Sequence, residues 1–134
     1  MIARLQNLPL IVALMGVGAV SMLLPAIVAA VMRDWAVAQA FVHSWLIFLV
    51  LTALIGLATA NRSLDRPLRA PLVDLVTAFT VLPAMLAVPL CNALPGLPFA
   101  DAYFEMVSSL TTTGATVFAG DALPGAIHLW RALI

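Results

Sequence analysis

Long stretches without a charged side chain constrain this chain more than any other feature of its sequence. No Asp, Glu, Lys or Arg occurs between Arg4 and Arg33, and the next such stretch runs from Trp35 to Asn61. A helix rises about 1.5 Å per residue, so about 20 apolar residues cross the hydrocarbon core of a bilayer. Each stretch is therefore long enough for a membrane-spanning helix.

The composition also indicates that lipid rather than water surrounds the chain. Hydrophobic residues make up 64% of the chain and charged residues 9%, which is too few polar side chains to cover a water-soluble surface. The net charge is zero and there is no lysine, so the basic patch of a nucleic-acid-binding protein is excluded. Cys91 is the only cysteine, which excludes an internal disulfide or a cysteine zinc cluster. These observations predict an all-α membrane protein.

Three full spans are predicted, over about 8–32, 37–60 and 72–90. Pro25 lies inside the first span and predicts a kink, because proline removes a helical hydrogen bond. The glycines at 16 and 18 match part of a dinucleotide-binding fingerprint. The third glycine is missing and no strand precedes them, so close helix packing is the better interpretation.

The distribution of arginine predicts the orientation of the spans. The polar linker 61–71 carries three arginines, and Arg4 lies on the same side if two spans intervene, whereas Arg33 lies on the other. The positive-inside rule therefore predicts a cytoplasmic N-terminus. On the outer side four acidic residues are expected to form a cation-concentrating mouth: Asp34, Asp101, Glu105 and Asp121.

The segment 101–118 differs from the spans. Its amphipathic run 101–110, with Asp101 as the expected N-cap, is too short to cross a bilayer. It stops in four residues that do not continue a helix: Thr111, Thr112, Thr113 and Gly114. Polar non-helical backbone at membrane depth is tolerated only where protein buries it or water reaches it. The order span, half-helix, polar loop, span predicts a re-entrant pore loop, with the fourth span beginning near Leu123 and cut short.

The polar loop has the chemistry of a potassium site. Main-chain carbonyl oxygens can replace the water around a monovalent cation, whereas carboxylates favour divalent ions. Gly114 can take a positive φ angle, which helps successive carbonyls to face one axis, and the threonine hydroxyls can hydrogen-bond behind them. The C-terminal end of the short helix adds a partial negative charge. The predicted ion site is Thr111, Thr112, Thr113 and Gly114.

Other interpretations remain open on the residues alone. Thr-Thr-Thr-Gly is also a common turn, so a small helical membrane scaffold without an ion pathway is the alternative. A homotetramer of this chain is disfavoured by the short fourth span. An intramembrane enzyme would use Ser108, His128 and Asp121, but nothing in the spacing fixes their geometry.

The residues of the polar loop resemble a known family. Phe104-Glu105, Ser108, Leu110 and the run 111–116 resemble the first pore loop of the Trk/Ktr/HKT superfamily of potassium transporters, in particular its TrkH-type subunits. Leu129-Trp130-Arg131 resembles the beginning of the helix that follows this filter. Two additional spans before the first pore unit are also a TrkH-type feature.

The resemblance implies an N-terminal fragment of a transporter, not an enzyme, in the bacterial cytoplasmic (inner) membrane. Residues 1–66 would form the two additional spans and 67–134 the first of four pore units. Thr112 and Thr113 would contact the ion through their carbonyls, with Gly114 as the filter glycine and Thr111 adjoining. The implied partners are potassium, lipid, a second copy of the protein and a cytosolic nucleotide-binding regulatory subunit. No cofactor and no nucleic acid are implied.

Overall fold

Six α-helices make up most of the computed structural model, which describes residues 10–59, 70–118 and 123–134. In chain order they are α1 (Leu10–Ser21), α2 (Leu23–Val31), α3 (Trp35–Thr59), α4 (Ala70–Ala93), α5 (Phe99–Leu110) and α6 (Gly125–Leu133). Within the described residues, three stretches are long and apolar enough to cross a membrane: Leu10–Val31, Trp35–Thr59 and Leu72–Ala93. The prediction of an all-α protein with three full spans is therefore confirmed.

The first span is broken between α1 and α2, at Met22. Pro25 has no amide hydrogen, so the carbonyl of Ser21 loses the donor that a continuous helix would provide. The amide of Met22 donates to the carbonyl of Ala19 at 3.2 Å, and the hydroxyl of Ser21 donates to the carbonyl of Gly18 at 2.8 Å. The predicted kink is present, and it lies just before the proline ring.

A very short turn joins α2 to α3. Arg33 adopts a φ angle of +60°, and the amide of Asp34 donates to the carbonyl of Ala29 at 2.9 Å. The carboxylate of Asp34 accepts a hydrogen bond of 3.4 Å from the amide of Val37, which is the contact of an N-cap residue. Because Asp34 caps the helix, α3 begins at Trp35, two residues earlier than predicted.

Helix α4 continues through two prolines. Pro83 and Pro89 lie inside it, and the helix extends to Ala93, three residues beyond the predicted end of the third span near residue 90. Both prolines are fully buried against neighbouring helices, an environment in which membrane helices tolerate the missing hydrogen bonds. The indole of Trp130 donates to the carbonyl of Leu86 at 3.3 Å, so α6 makes a polar contact with the helix between the two prolines.

The two short helices are attached to the spans by aromatic side chains. Trp130 of α6 is fully buried, and its ring meets that of Phe41 edge-on, with centroids 5.5 Å apart. The hydroxyl of Tyr103 on α5 donates to the carbonyl of Thr80 on α4, at 3.3 Å. One apolar core therefore runs from the spans to the helices on either side of the polar loop.

The outer surface of α3 is apolar. Only 17% of its span is buried against other helices, compared with 39% for each of the other two spans. Its exposed large side chains include Val42, Leu46, Ile47, Val50, Leu54 and Leu57. A patch of this size is unfavourable in water, but lipid chains cover it in a bilayer.

Some predicted features lie outside the described residues. They include Arg4, Asp121, the arginines of the linker and the division between residues 66 and 67. The orientation of the spans and the division into two domains therefore stay predictions.

Candidate ion-binding loop

Helix α5 is the short helix that the sequence predicted before the polar loop. It begins after Pro98, whose carbonyl accepts hydrogen bonds from the amides of Asp101 and Ala102, at 3.1 and 3.2 Å. The prediction that Asp101 is the N-cap is wrong, because Pro98, with its extended backbone, occupies that position three residues earlier. Asp101 lies in the first turn, where its charge still favours the positive end of the helix dipole.

The backbone changes conformation immediately after α5 ends at Leu110, the predicted end. Thr112 has a φ angle of +56° and Gly114 one of +72°, whereas Thr113 between them does not have a positive φ. In an ordinary extended strand, successive carbonyls point to opposite sides. Alternation in the sign of φ brings successive carbonyls toward one side, which is the requirement of a cage of main-chain oxygens.

The amides of this loop face the end of α5. The amide of Thr112 donates to the carbonyl of Ser109 at 3.0 Å, and those of Thr113 and Gly114 donate to Ser108 at 2.9 and 3.5 Å. In a planar trans peptide the N–H and C=O groups point in opposite directions. The carbonyl oxygens of residues 111, 112 and 113 therefore point away from the helix, toward the exposed side of the loop.

The threonine hydroxyls form a separate network. Thr111 donates to the carbonyl of Val107 at 2.7 Å, and the hydroxyls of Thr111 and Thr113 lie 2.8 Å apart. These contacts link two side chains of the loop to each other and to α5. These hydrogen bonds are compatible with the predicted role of the threonine hydroxyls, which is to hold the loop in place.

Two buried polar side chains of α5, one turn apart, hold the second half of the loop. The hydroxyl of Ser108 donates to the carbonyl of Ala115 at 2.7 Å. One carboxylate oxygen of Glu105, Oε1, accepts hydrogen bonds from the hydroxyl of Thr116 and the amide of Val117, both at 2.6 Å. Short contacts to an ionised oxygen are among the stronger hydrogen bonds in proteins.

Arg131 of α6 completes this arrangement. Its Nε atom lies 2.8 Å from Oε2 of Glu105 and forms an ion pair that lacks the alignment of a hydrogen bond. The guanidinium group also lies over the ring of Phe118, 5.6 Å from its centroid. Glu105 is fully buried, whereas the Arg131 side chain is 21% exposed, so the carboxylate depends on these partners for charge compensation.

The loop opens into a cavity of about 350 Å³. Its lining is largely polar and comprises Ser108, Ser109, Thr112, Gly114, His128, Arg131 and Ala132. His128 and Arg131, which lie three residues apart on α6, therefore face the same cavity. An open cavity of this kind lets water reach the non-helical backbone of the loop, as the predicted re-entrant loop requires.

The structure does not assemble the hypothetical catalytic triad. The hydroxyl of Ser108 donates to the carbonyl of Ala115, and Asp121 lies outside the described residues. Among the residues that the structure describes, no group of three His, Cys, Asp or Glu side chains could hold a metal ion. Main-chain oxygens are the remaining candidates for cation contact here.

Sequence reasoning missed the place of Glu105. It assigned this residue to an acidic outer mouth, whereas the structure buries it behind the loop. A sequence signal existed, because Glu105 lies three residues from both Ala102 and Ser108, on the buried face of α5. Its partner Arg131, on another helix, could not be identified from that pattern.

The sequence of the chain is similar to those of several potassium uptake proteins. No protein-family model matches the chain. The chain is 34% identical over 116 residues to the Trk system potassium uptake protein TrkH of Salmonella typhimurium and 33% identical over 116 residues to that of Escherichia coli K12. It is 36% identical over 120 residues to the TrkH protein of Vibrio parahaemolyticus. These matches cover 85%, 85% and 88% of the chain.

A solved structure shares the arrangement of the helices. The crystal structure of the potassium transporter TrkH from Vibrio parahaemolyticus matches with a TM-score of 0.82 and 34% identity over 98% of this chain. The chain spans 24% of the length of the three curated relatives and 28% of the solved chain. The likeness therefore includes the helices on either side of the polar loop.

Proposed function

Because the chain belongs to the TrkH family of potassium uptake proteins, a family of transporters rather than enzymes, we propose that it supplies one of four selectivity-filter segments of a potassium transporter. It is a multi-pass protein of the bacterial inner membrane. In this proposal potassium is the transported ion and no cofactor takes part. The ion contacts are made by main-chain oxygens of the loop Thr111–Gly114.

The alternating backbone of the loop is the observation that carries the proposal. Positive φ angles at Thr112 and Gly114, together with amides that face the end of α5, turn the oxygens of residues 111–113 outward. The C-terminal end of α5 adds about half a negative charge directly behind them. Four such segments around an axis would replace the hydration shell of a weakly hydrated cation.

Several finer features belong to the same proposal. The N-terminus is cytoplasmic, and residues 1–66 and 67–134 form the additional spans and the first pore unit. The resemblance to TrkH-type proteins also implies a second copy of the protein and a cytosolic nucleotide-binding regulatory subunit. Cross-linking in native membranes would detect both partners.

The alternative is a helical membrane scaffold in which Thr-Thr-Thr-Gly is only a packed turn. The end of α5 accounts for the positive φ angle at Thr112, but a packed turn has no need for the second one, at Gly114. The polar cavity in front of the loop also has no role in a scaffold. Both features favour the ion-binding role.

Substitution of Gly114 tests the proposal in the complete open reading frame that encodes this sequence, expressed in cells without other potassium uptake systems. A Cβ atom at this position would meet nothing within 4 Å, so Gly114→Ala acts on the backbone and not through crowding. Holding an L-residue at a φ of +72° costs about 1–2 kcal/mol. We expect rubidium uptake to fall about tenfold, the change in rate that 1.4 kcal/mol produces.

Gly96 provides a matched control. It has a φ angle of +93° and equally open space, but it lies in the turn before α5. Gly96→Ala should therefore cause a similar strain and leave uptake close to the wild-type rate. Equal uptake by the two variants, at equal amounts in the membrane, would contradict the proposed site.

A further inference from the structure

The carboxylate of Glu105 has a position that ion contact alone does not explain. It is fully buried behind the loop and does not line the cavity from which ions would approach. Burial of a charged group is unfavourable unless hydrogen bonds and an opposite charge compensate it. The partners of this carboxylate therefore indicate what it does.

The two oxygens of Glu105 serve different elements. Oε1 binds the loop, through the hydroxyl of Thr116 and the amide of Val117. Oε2 faces Arg131 of helix α6 at 2.8 Å. The carboxylate thus connects three parts of the chain: the short helix, the returning half of the loop and the helix that follows.

The next residue of the loop is held by the same group of side chains. The amide of Phe118 donates to the hydroxyl oxygen of Thr116 at 3.1 Å, and its ring lies under the guanidinium of Arg131. Three consecutive residues, 116–118, are therefore fixed by Glu105 and its partners. Ser108 fixes the three residues that precede them, 113–115, through its main-chain and side-chain hydrogen bonds.

On the basis of the proposed function, we infer that Glu105 is a positioning residue that sets ion selectivity through the loop without touching the ion. The oxygens of residues 111–113 are followed along the chain by two anchored stretches, residues 113–115 at Ser108 and residues 116–117 at Glu105. Discrimination between potassium and sodium depends on the size and rigidity of the oxygen cage. When the contacts of Glu105 are lost, the oxygen cage can contract around sodium, the smaller ion, and the selectivity for potassium over sodium falls.

Two substitutions of Glu105 separate its contacts. Glu105→Gln keeps a carbonyl oxygen for Thr116 and Val117 but loses the ion pair with Arg131. Glu105→Leu removes both contacts at similar volume. The measurement is the ratio of potassium to sodium uptake by the complete protein in cells. We expect the ratio to fall about tenfold or more in the leucine variant, as the loss of hydrogen bonds to a charged group suggests, and less in the glutamine variant.

A substitution of Thr116 keeps the test decisive if the Glu105→Leu variant does not accumulate in the membrane. Thr116→Val removes one donor to Glu105 and leaves the carboxylate and the ion pair in place, so a reduced ratio is again expected. Thr59→Val is the matched control. The hydroxyl of Thr59 donates to the carbonyl of Ile55 within its own helix α3, and its loss should leave the ratio unchanged.

The outcomes distinguish this inference from the proposal on which it rests. A purely structural role would reduce the amount of protein in the membrane without changing the ratio. An unchanged ratio in Thr116→Val and in any accumulating Glu105 variant, while Gly114→Ala impairs uptake, would overturn the positioning role alone. An unaffected Gly114→Ala variant would instead overturn the proposed function.

Discussion

Among the residues that the structure describes, two with side chains, Arg33 and Thr112, adopt the left-handed backbone region that glycine usually occupies. At Arg33 the reason is local: the amides of Arg33 and Asp34 close the end of α2 by donating to the carbonyls of Ala30 and Ala29. This pattern is a common helix end, in which glycine is the preferred residue. At Thr112 the same pattern closes α5, because the amides of Thr112 and Thr113 donate to the carbonyls of Ser109 and Ser108. The second positive φ of the loop, at Gly114, lies beyond this helix end and is not explained by it.

The strain at Arg33 can be relieved without touching the loop. Arg33→Gly should raise the free energy of unfolding by about 1 kcal/mol, because glycine has no Cβ atom to oppose a φ of +60°. Chemical denaturation in detergent micelles measures this change. Arg33→Ala removes the same charge but keeps the strain, so it should give no gain. A glycine variant no more stable than the alanine variant would contradict this interpretation of the turn.

Individual residues show the limit of sequence reasoning most clearly. The loop residues Thr111–Gly114 could be selected from the sequence, because a polar stop after a short amphipathic run is a local signal. The buried contacts of Glu105 could not, because Arg131 lies on another helix and meets it only after α5 and α6 have packed. From the sequence alone, a charged residue in an apolar chain is predicted to be exposed, because the partner that would compensate its charge in a buried site is not known.

At the scale of the helices, hydropathy was sufficient to predict three spans. Their ends were less predictable, because they depend on single contacts such as the Asp34 cap of α3. The packing of small residues was also predicted, and it is confirmed at Gly18. A Cβ atom there would lie 3.2 Å from a methyl carbon of Leu86 on α4. At Gly16 the nearest atom, a methyl carbon of Thr52, would lie at 3.7 Å, beside an open groove.

The contrast between the two glycines gives a test of helix packing. Gly18→Val should lower the free energy of unfolding by about 1–3 kcal/mol, because α1 and α4 would have to separate to accommodate it. Gly16→Val should cost much less, since its side chain extends toward the groove. Denaturation of the two purified variants in the same detergent compares them directly. Equal losses would show that α1 and α4 do not pack as described.

At the scale of the whole molecule, the proposed transporter surrounds this chain with lipid and with further filter segments. The apolar outer surface of α3 is suited to a bilayer or to further helices. The loop offers oxygens on one side only, so a closed cage needs three further segments in the proposed transporter. The need for lipid follows from the composition of this chain, whereas the number of further segments does not, because it concerns atoms outside the chain.

The most direct test of the ion site is anomalous X-ray scattering from crystals of the complete protein grown with rubidium or thallium in place of potassium. The account predicts an anomalous peak on the pore axis, coordinated by the main-chain oxygens of residues 111–113 together with those of other segments. Excess sodium should displace it only weakly. Anomalous density found only at carboxylates, with none at these oxygens, would contradict the claim that this loop binds the transported ion.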